Sequence, residues 1–157
     1  MTLIFITTLI ACLKVAEPVE NPLRKSPNDH RNYDAFVLEN GMKALAISDP
    51  KAEMSAAALS VHVGQFHDPI DRQGLAHFLE HMLFLGSKKY PVVGDYRQFI
   101  SGNGGRSNAG TGQENTTYYF EIKPDNLDEA LDRFSQFFTA PSFHPDFVTR
   151  EREAVHS

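Results

Sequence analysis

Short runs rich in apolar and β-branched residues open the chain and recur between longer runs with helical spacing. Tyr33–Leu38 and Met42–Ser48 read as strands, and Glu39-Asn40-Gly41 lies between them. Asn-Gly supplies the positive φ angles of a tight hairpin turn, so the two strands are expected to pair. Ala56–Val63 is a third strand candidate, ending at Gly64. Thr116–Ile122, "TTYYFEI", is a fourth and has the strongest β-branched and aromatic content. Gly74–Leu85 is apolar nearly all round, which predicts a buried helix, with Asp71 as a cap upstream and Gly86 as its stop. A short helix is expected from Tyr96 to Ile100. Pro124-Asp125 opens another, in which Leu127, Ala130, Leu131, Phe134, Phe137 and Phe138 recur at helical spacing and read as core. Pro141 ends it, and a last helix is expected over Phe147–Val155. Ser101–Gly112 holds five glycines and reads as a loop or an irregular edge strand. Hairpin, sheet and helices together predict an α+β fold, a mixed or antiparallel sheet packed by helices.

The helical run 74–86, "GLAHFLEHMLFLG", sets three ionisable side chains among apolar ones. Burying an unpaired carboxylate costs several kcal/mol or more, and imidazoles need hydrogen-bond partners. His77 and His81 are four apart and project from one helix face, and Glu80, three from His77, shares it. Two neutral imidazoles holding a divalent zinc ion would satisfy the group, with Glu80 beside the open coordination position. Zinc lowers the pKa of bound water to about 7. A neighbouring carboxylate can take the released proton and pass it to a leaving amine, the chemistry of peptide-bond hydrolysis. The alternative is two satisfied structural histidines with Glu80 in a salt bridge.

Composition narrows the classes. The 157 residues suffice for one domain with a real core. A net charge of -5 and the lack of any Arg/Lys cluster leave no footprint for nucleic acid. His30, His62, His67 and His144 have no ligand spacing to one another. Gly102-Asn103-Gly104-Gly105 is no phosphate loop, since no Lys-Ser/Thr follows at Walker spacing.

The single cysteine, Cys12, excludes an internal disulfide framework. It closes an apolar run, Leu3–Leu13, too short to span a bilayer but suited to a secretory segment. Leu9-Ile10-Ala11-Cys12 resembles a bacterial lipobox, in which the cysteine becomes lipidated. Export is therefore expected, to a bacterial periplasm and as an anchored lipoprotein if Cys12 is modified. The basic n-region is missing, and a cytoplasmic location is the alternative. Glu17–Arg31 reads as a linker. The expected organisation is a signal-like segment and linker over 1–32 and a partial domain over 33–157.

The zinc pattern His-x-x-Glu-His is the inverzincin signature. Its surroundings resemble the pitrilysin/insulysin (insulin-degrading enzyme) family, the M16 peptidases. "RQGLAHFLEHMLFLGSKKYP" (72–91) looks like that family's active-site block. "SNAGTGQENTTYYFEI" (107–122), "LDRFSQFFTAPSF" (131–143) and "REREAVHS" (150–157) continue the likeness. The resemblance implies a zinc metalloendopeptidase acting on peptides, with His77 and His81 as metal ligands and Glu80 as general base. It implies that Glu151 supports catalysis and that Asn108 and Ala109 lie on an edge strand beside the substrate backbone, where an extended peptide could add. The family's third zinc ligand is a glutamate that falls just past Ser157. Glu151 and Glu153 are out of register for that role, and His156 reads as an ordinary exposed side chain. The sequence is thus expected to be the N-terminal catalytic portion of a larger clamshell, truncated at its C-terminus and in need of the rest of the polypeptide or a partner half. Rival readings are a non-catalytic relative serving as a structural or partner subunit, and an inert truncated product.

Overall fold

Strand β1 (Val15–Pro18) pairs antiparallel with β2 (Asn32–Leu38), which pairs with β3 (Lys43–Ser48). The computed structural model describes residues 15–18 and 24–156, with side chains over 24–152. The signal-like segment with Cys12 lies outside the described residues. The linker expected over 17–31 begins inside β1, since Glu17 and Pro18 sit opposite Val37 and Phe36. Tyr33 faces Ile47 and Ala35 faces Leu45, so the register is that of a closed hairpin.

The connection is not the two-residue turn that Asn-Gly favours. Gly41 N–H donates to Leu38 C=O at 2.8 Å and Leu38 N–H to Met42 C=O at 2.9 Å, which makes Glu39-Asn40-Gly41 a three-residue loop. Gly41 takes the left-handed position with φ 83° that such a loop needs at its end. The chain divides after Ala52 into two units.

In the second unit β4 (Ser55–Val61), β6 (Thr116–Ile122) and β5 (Arg106–Thr111) form an antiparallel sheet in the order β4-β6-β5. The glycine-rich stretch thus contains a regular edge strand. Period-two alternation gives β6 a buried row, Thr116, Tyr118, Phe120 and Ile122, on the helix-bearing face. Ala57, Leu59, Val61 and Ala109 extend that row across the neighbouring strands.

Helices α1 (Leu75–Leu83), α2 (Asp95–Gly102) and α3 (Leu127–Thr139) cover this face, and α4 (Pro145–His156) packs on α1. α3 is preceded by a 3₁₀ turn over Pro124–Asn126 rather than starting at Pro124. The core joins Leu83, Tyr96, Ile100, Phe120, Phe134 and Phe137. Several of its rings meet edge-on, as Phe120 and Phe134 do at 5.3 Å between centroids, an arrangement the ring quadrupoles favour. The α+β architecture, an antiparallel sheet packed by helices, is that expected from the sequence. Among the described residues no helix is long and apolar enough to cross a membrane.

Candidate metal centre

Helix α1 carries the polar trio, and its start is set from a distance. Asp68 accepts the N–H of Gly74 at 2.8 Å through one carboxylate oxygen and that of Ala76 at 2.9 Å through the other. Two of the otherwise orphaned first-turn donors are so satisfied, by an anion at the positive end of the helix dipole. Asp71, the expected cap, instead lies exposed near Arg72. The helix is also less enclosed than its composition predicts. Ala76, Glu80, Met82 and Leu83 are buried, but Leu75 and Leu79 remain 46% and 44% exposed. They sit one turn apart on the side of α1 turned away from the sheet, so apolar character alone overstated the burial.

His77 and His81 project from α1 side by side. Their Nε2 atoms approach to 3.1 Å and the rings stand nearly perpendicular. Two nitrogens bound to one tetrahedral ion at the zinc–nitrogen distance of about 2.1 Å stand roughly 3.4 Å apart. The pair therefore fits as two ligands of one ion, both offering the same ring atom to the same point. On its far side the His81 ring presents Nδ1 to Glu151 Oε2 of α4 at 3.4 Å. That carboxylate is only 16% exposed, and the contact favours the His81 tautomer that leaves Nε2 with a free lone pair. Among the described residues no third His, Cys, Asp or Glu completes a cluster able to hold a metal.

Glu80 is 8% exposed. Its Oε2 accepts the hydroxyl of Thr111 at 2.6 Å, a short charge-assisted bond from the end of β5. Thr116, opposite Thr111 in the ladder, is anchored in turn by donating to Val63 C=O at 2.8 Å. The charge of Glu80 is felt nearby. Burial first, and the Glu80 carboxylate second, push the Tyr118 hydroxyl up to about 12. Tyr96, deep in the same core, is also raised by burial.

Asn108 and Ala109 both lie on β5, opposite Tyr119 and Tyr118. Ala109 turns inward against the core, and Asn108 is exposed on the other face. A concavity of about 730 Å³, lined by Ala56, Ala58, Asn108 and Tyr119 among others, opens on that other face, away from Glu80. His62 and His67 are exposed, with His62 Nδ1 on Asn115 Oδ1 at 2.9 Å and His67 Nδ1 accepting the Gly64 N–H at 3.2 Å. Sequence reasoning missed two residues that shape the site, Asp68 and Thr111. An acidic residue shortly before the helix was the available signal for the first; the second had none.

A sheet with helices on one face and a His-x-x-Glu-His helix define the inverzincin class of metallopeptidase-like domains. The profile of Insulinase (Peptidase family M16) matches residues 43–157, and the chain belongs to this family. Family M16 is zinc-dependent in general. The insulin-degrading enzyme of Drosophila melanogaster is 54% identical over 137 residues, 87% of this chain and 14% of that protein. The insulin-degrading enzyme of Homo sapiens is 50% identical over 139 residues, 88% of this chain and again 14% of that protein. The crystal structure of pitrilysin superposes with a TM-score of 0.83 at 42% identity, covering 88% of this chain and 15% of that one. The chain thus spans about a seventh of the length of the curated relatives it matches.

Proposed function

We propose that this chain is the N-terminal catalytic portion of a zinc metalloendopeptidase that hydrolyses peptides. The observation that carries the proposal is the convergence of His77 Nε2 and His81 Nε2 at 3.1 Å beside a buried Glu80. These two imidazoles would hold the ion, with a third ligand supplied by a residue beyond Ser157. When bound, zinc supplies Lewis acidity that makes water more acidic and polarises a carbonyl.

The chain's own residues do the rest. Thr111 fixes one oxygen of Glu80, leaving the other free to accept a proton from the attacking water and deliver it to the departing amine. Glu151 would orient the His81 ring through Nδ1, the contact that favours the tautomer with its Nε2 lone pair toward the metal position. β5 is an edge of its sheet among the described residues, and an extended substrate backbone can add along it at Asn108 and Ala109. The remainder of the polypeptide, or a partner half, would close over the substrate. The apolar N-terminal segment would direct export, with Cys12 as a site for a lipid anchor.

In the full-length protein, Glu80→Gln should retain stoichiometric zinc and lose about 10²–10⁴-fold in kcat, the usual worth of a positioned general base. Unchanged turnover would remove Glu80 from that role. The 157-residue chain alone should bind zinc weakly and cleave little peptide. A tight stoichiometric site in that chain would refute the need for a ligand past Ser157.

A further inference from the structure

We propose that Thr111 is a positioning residue that links the docking of a peptide on β5 to the placement of Glu80. The link rests on the peptidase reading above and adds to it a route by which substrate itself orders the general base.

The phase of the β5–β6 ladder decides which backbone groups of β5 are free. Antiparallel partners alternate between pairs that exchange N–H and C=O and pairs whose groups turn away from each other. At the hairpin end Gly112 N–H donates to Asn115 C=O at 2.8 Å, so Gly112 faces the β6 side. Thr111, one residue earlier and opposite Thr116, therefore turns its N–H and C=O away from β6. Ala109 and Ser107 share that phase. So does Gly105, and its N–H is taken by Ile100 C=O at the end of α2, 2.9 Å away, on the side remote from β6. The free edge thus runs from Ser107 to Thr111, whose main chains make no hydrogen bond to another element among the described residues. A peptide strand added there bonds to Ala109 and Thr111. The main chain of Asn108 faces β6 and leaves only its side chain on offer.

The Thr111 side chain does a second job. Its hydroxyl donates to Glu80 Oε2 at 2.6 Å, the one side-chain hydrogen bond of that buried carboxylate among the described residues. Behind it, at 3.5 Å, stands the Thr116 hydroxyl, itself committed to Val63 C=O at 2.8 Å. Thr111 makes no main-chain bond to β6, so an incoming peptide supplies the main-chain bonds at the very residue whose hydroxyl holds the base. Fixing Thr111 from the open side fixes its hydroxyl, and with it the oxygen of Glu80 that stays free for the proton. Misplacing a reacting group by about 1 Å costs on the order of 10²-fold in rate. Peptide bonding at Thr111 is in this way turned into kcat rather than affinity.

The experiment uses the full-length protein and synthetic decapeptide substrates, each carrying one backbone N-methyl group at a successive position. Thr111→Val should lower kcat about 10–100-fold with KM within about threefold, and Thr111→Ser should restore kcat to within about threefold. In the Glu80→Gln background Thr111→Val should cost no more than a further threefold or so, because Thr111 acts through Glu80. One N-methyl position should lower kcat in the parent and leave it unchanged in Thr111→Val. Independently of turnover, a decapeptide with its scissile amide reduced, added to zinc-free protein, should slow hydrogen exchange at Ala109 and Thr111. An active parent whose kcat survives Thr111→Val, or in which every N-methyl effect is the same in both proteins, overturns the proposal alone. Unchanged exchange at Thr111 with saturating peptide overturns it as well. A parent that cleaves no peptide overturns the peptidase reading and the proposal with it.

Discussion

Asp68→Ala should destabilise the second unit by about 2 kcal/mol, although the residue lies six positions before the helix it serves. Two bonds are lost, from Gly74 N–H at 2.8 Å and Ala76 N–H at 2.9 Å. Hydrogen bonds to a charged group contribute roughly 1.5–3 kcal/mol each when sheltered. Asp68 is half-buried, so water replaces part of each bond, and about 1 kcal/mol apiece remains. That sum sits at the upper end of the measured range for cap removal, roughly 0.5–2 kcal/mol, as expected for a cap that serves two donors. With a urea m-value of order 1–2 kcal/mol/M for a unit this size, the midpoint should fall by about 1–2 M. Asp68→Asn keeps one accepting oxygen and should lose about half as much. Asp71→Ala, at the exposed neighbouring acid, should change nothing beyond about 0.5 kcal/mol. Urea melts of the three variants, followed by far-ultraviolet circular dichroism, make the comparison. Equal midpoints for Asp68→Ala and Asp71→Ala would refute the capping argument.

Other variants probe the neighbouring contacts. Thr111→Val strips the hydroxyl from a buried Glu80 and should cost about 2 kcal/mol, whereas Thr111→Ser should stay within about 1 kcal/mol of the parent in the same melts. Gly64→Ala places a methyl 2.5 Å from Gly112 C=O oxygen and 2.7 Å from Gln113, both backbone, so the loop must shift; a loss of about 2–3 kcal/mol is expected, and a neutral result would mean that the approach is not tight. Tyr118, pushed up to about 12 by burial and by Glu80, is neutral in the fold. Its folded pKa exceeds the unfolded value of about 10, so its contribution is complete below pH 10 and is lost as pH rises from about 10 to about 12. Tyr118→Phe should therefore raise the alkaline unfolding midpoint, and an unmoved midpoint would exclude Tyr118 as a cause.

How much of this was legible in the sequence depended on how local the cause was. The strand 116–122 announced itself because β-branched and aromatic residues pack on a pleated surface whatever lies beside them. The helix 75–83 was legible from its apolar density, but its enclosure was not. Leu75 and Leu79 have the same chemistry as the buried Leu83, and only the position of the sheet decides which face is covered. Strand β5 was legible only as one of two alternatives, a loop or an edge strand, because its residues Arg106–Thr111 carry little apolar pattern; pairing with β6, a long-range event, gives it its register. Thr111 became a partner of Glu80 through that pairing alone. Asp68 escaped for a related reason, since its cap acts across a loop rather than from the position adjoining the helix.

The same distinction orders the site. The spacing of His77 and His81 is a property of one helix, so their convergence needs nothing beyond α1 itself and the cap that starts it. The two carboxylates depend on other elements. Glu80 is fixed by the β5–β6 hairpin, whose strands share the buried sheet face with Phe120 and the core. Glu151 reaches His81 from α4, outside that sheet. The proton handling proposed for Glu80 is thereby tied to the most enclosed part of the unit, and ring orientation to a helix packed on α1. A perturbation of α4 should loosen the His81 ring before it disturbs Glu80, because among the described residues Glu80 is held by Thr111 of β5 and not by α4. The geometry of the proposed ligand pair and that of the proposed general base are thus set by separate parts of the fold, and a sequence change can weaken one while leaving the other in place.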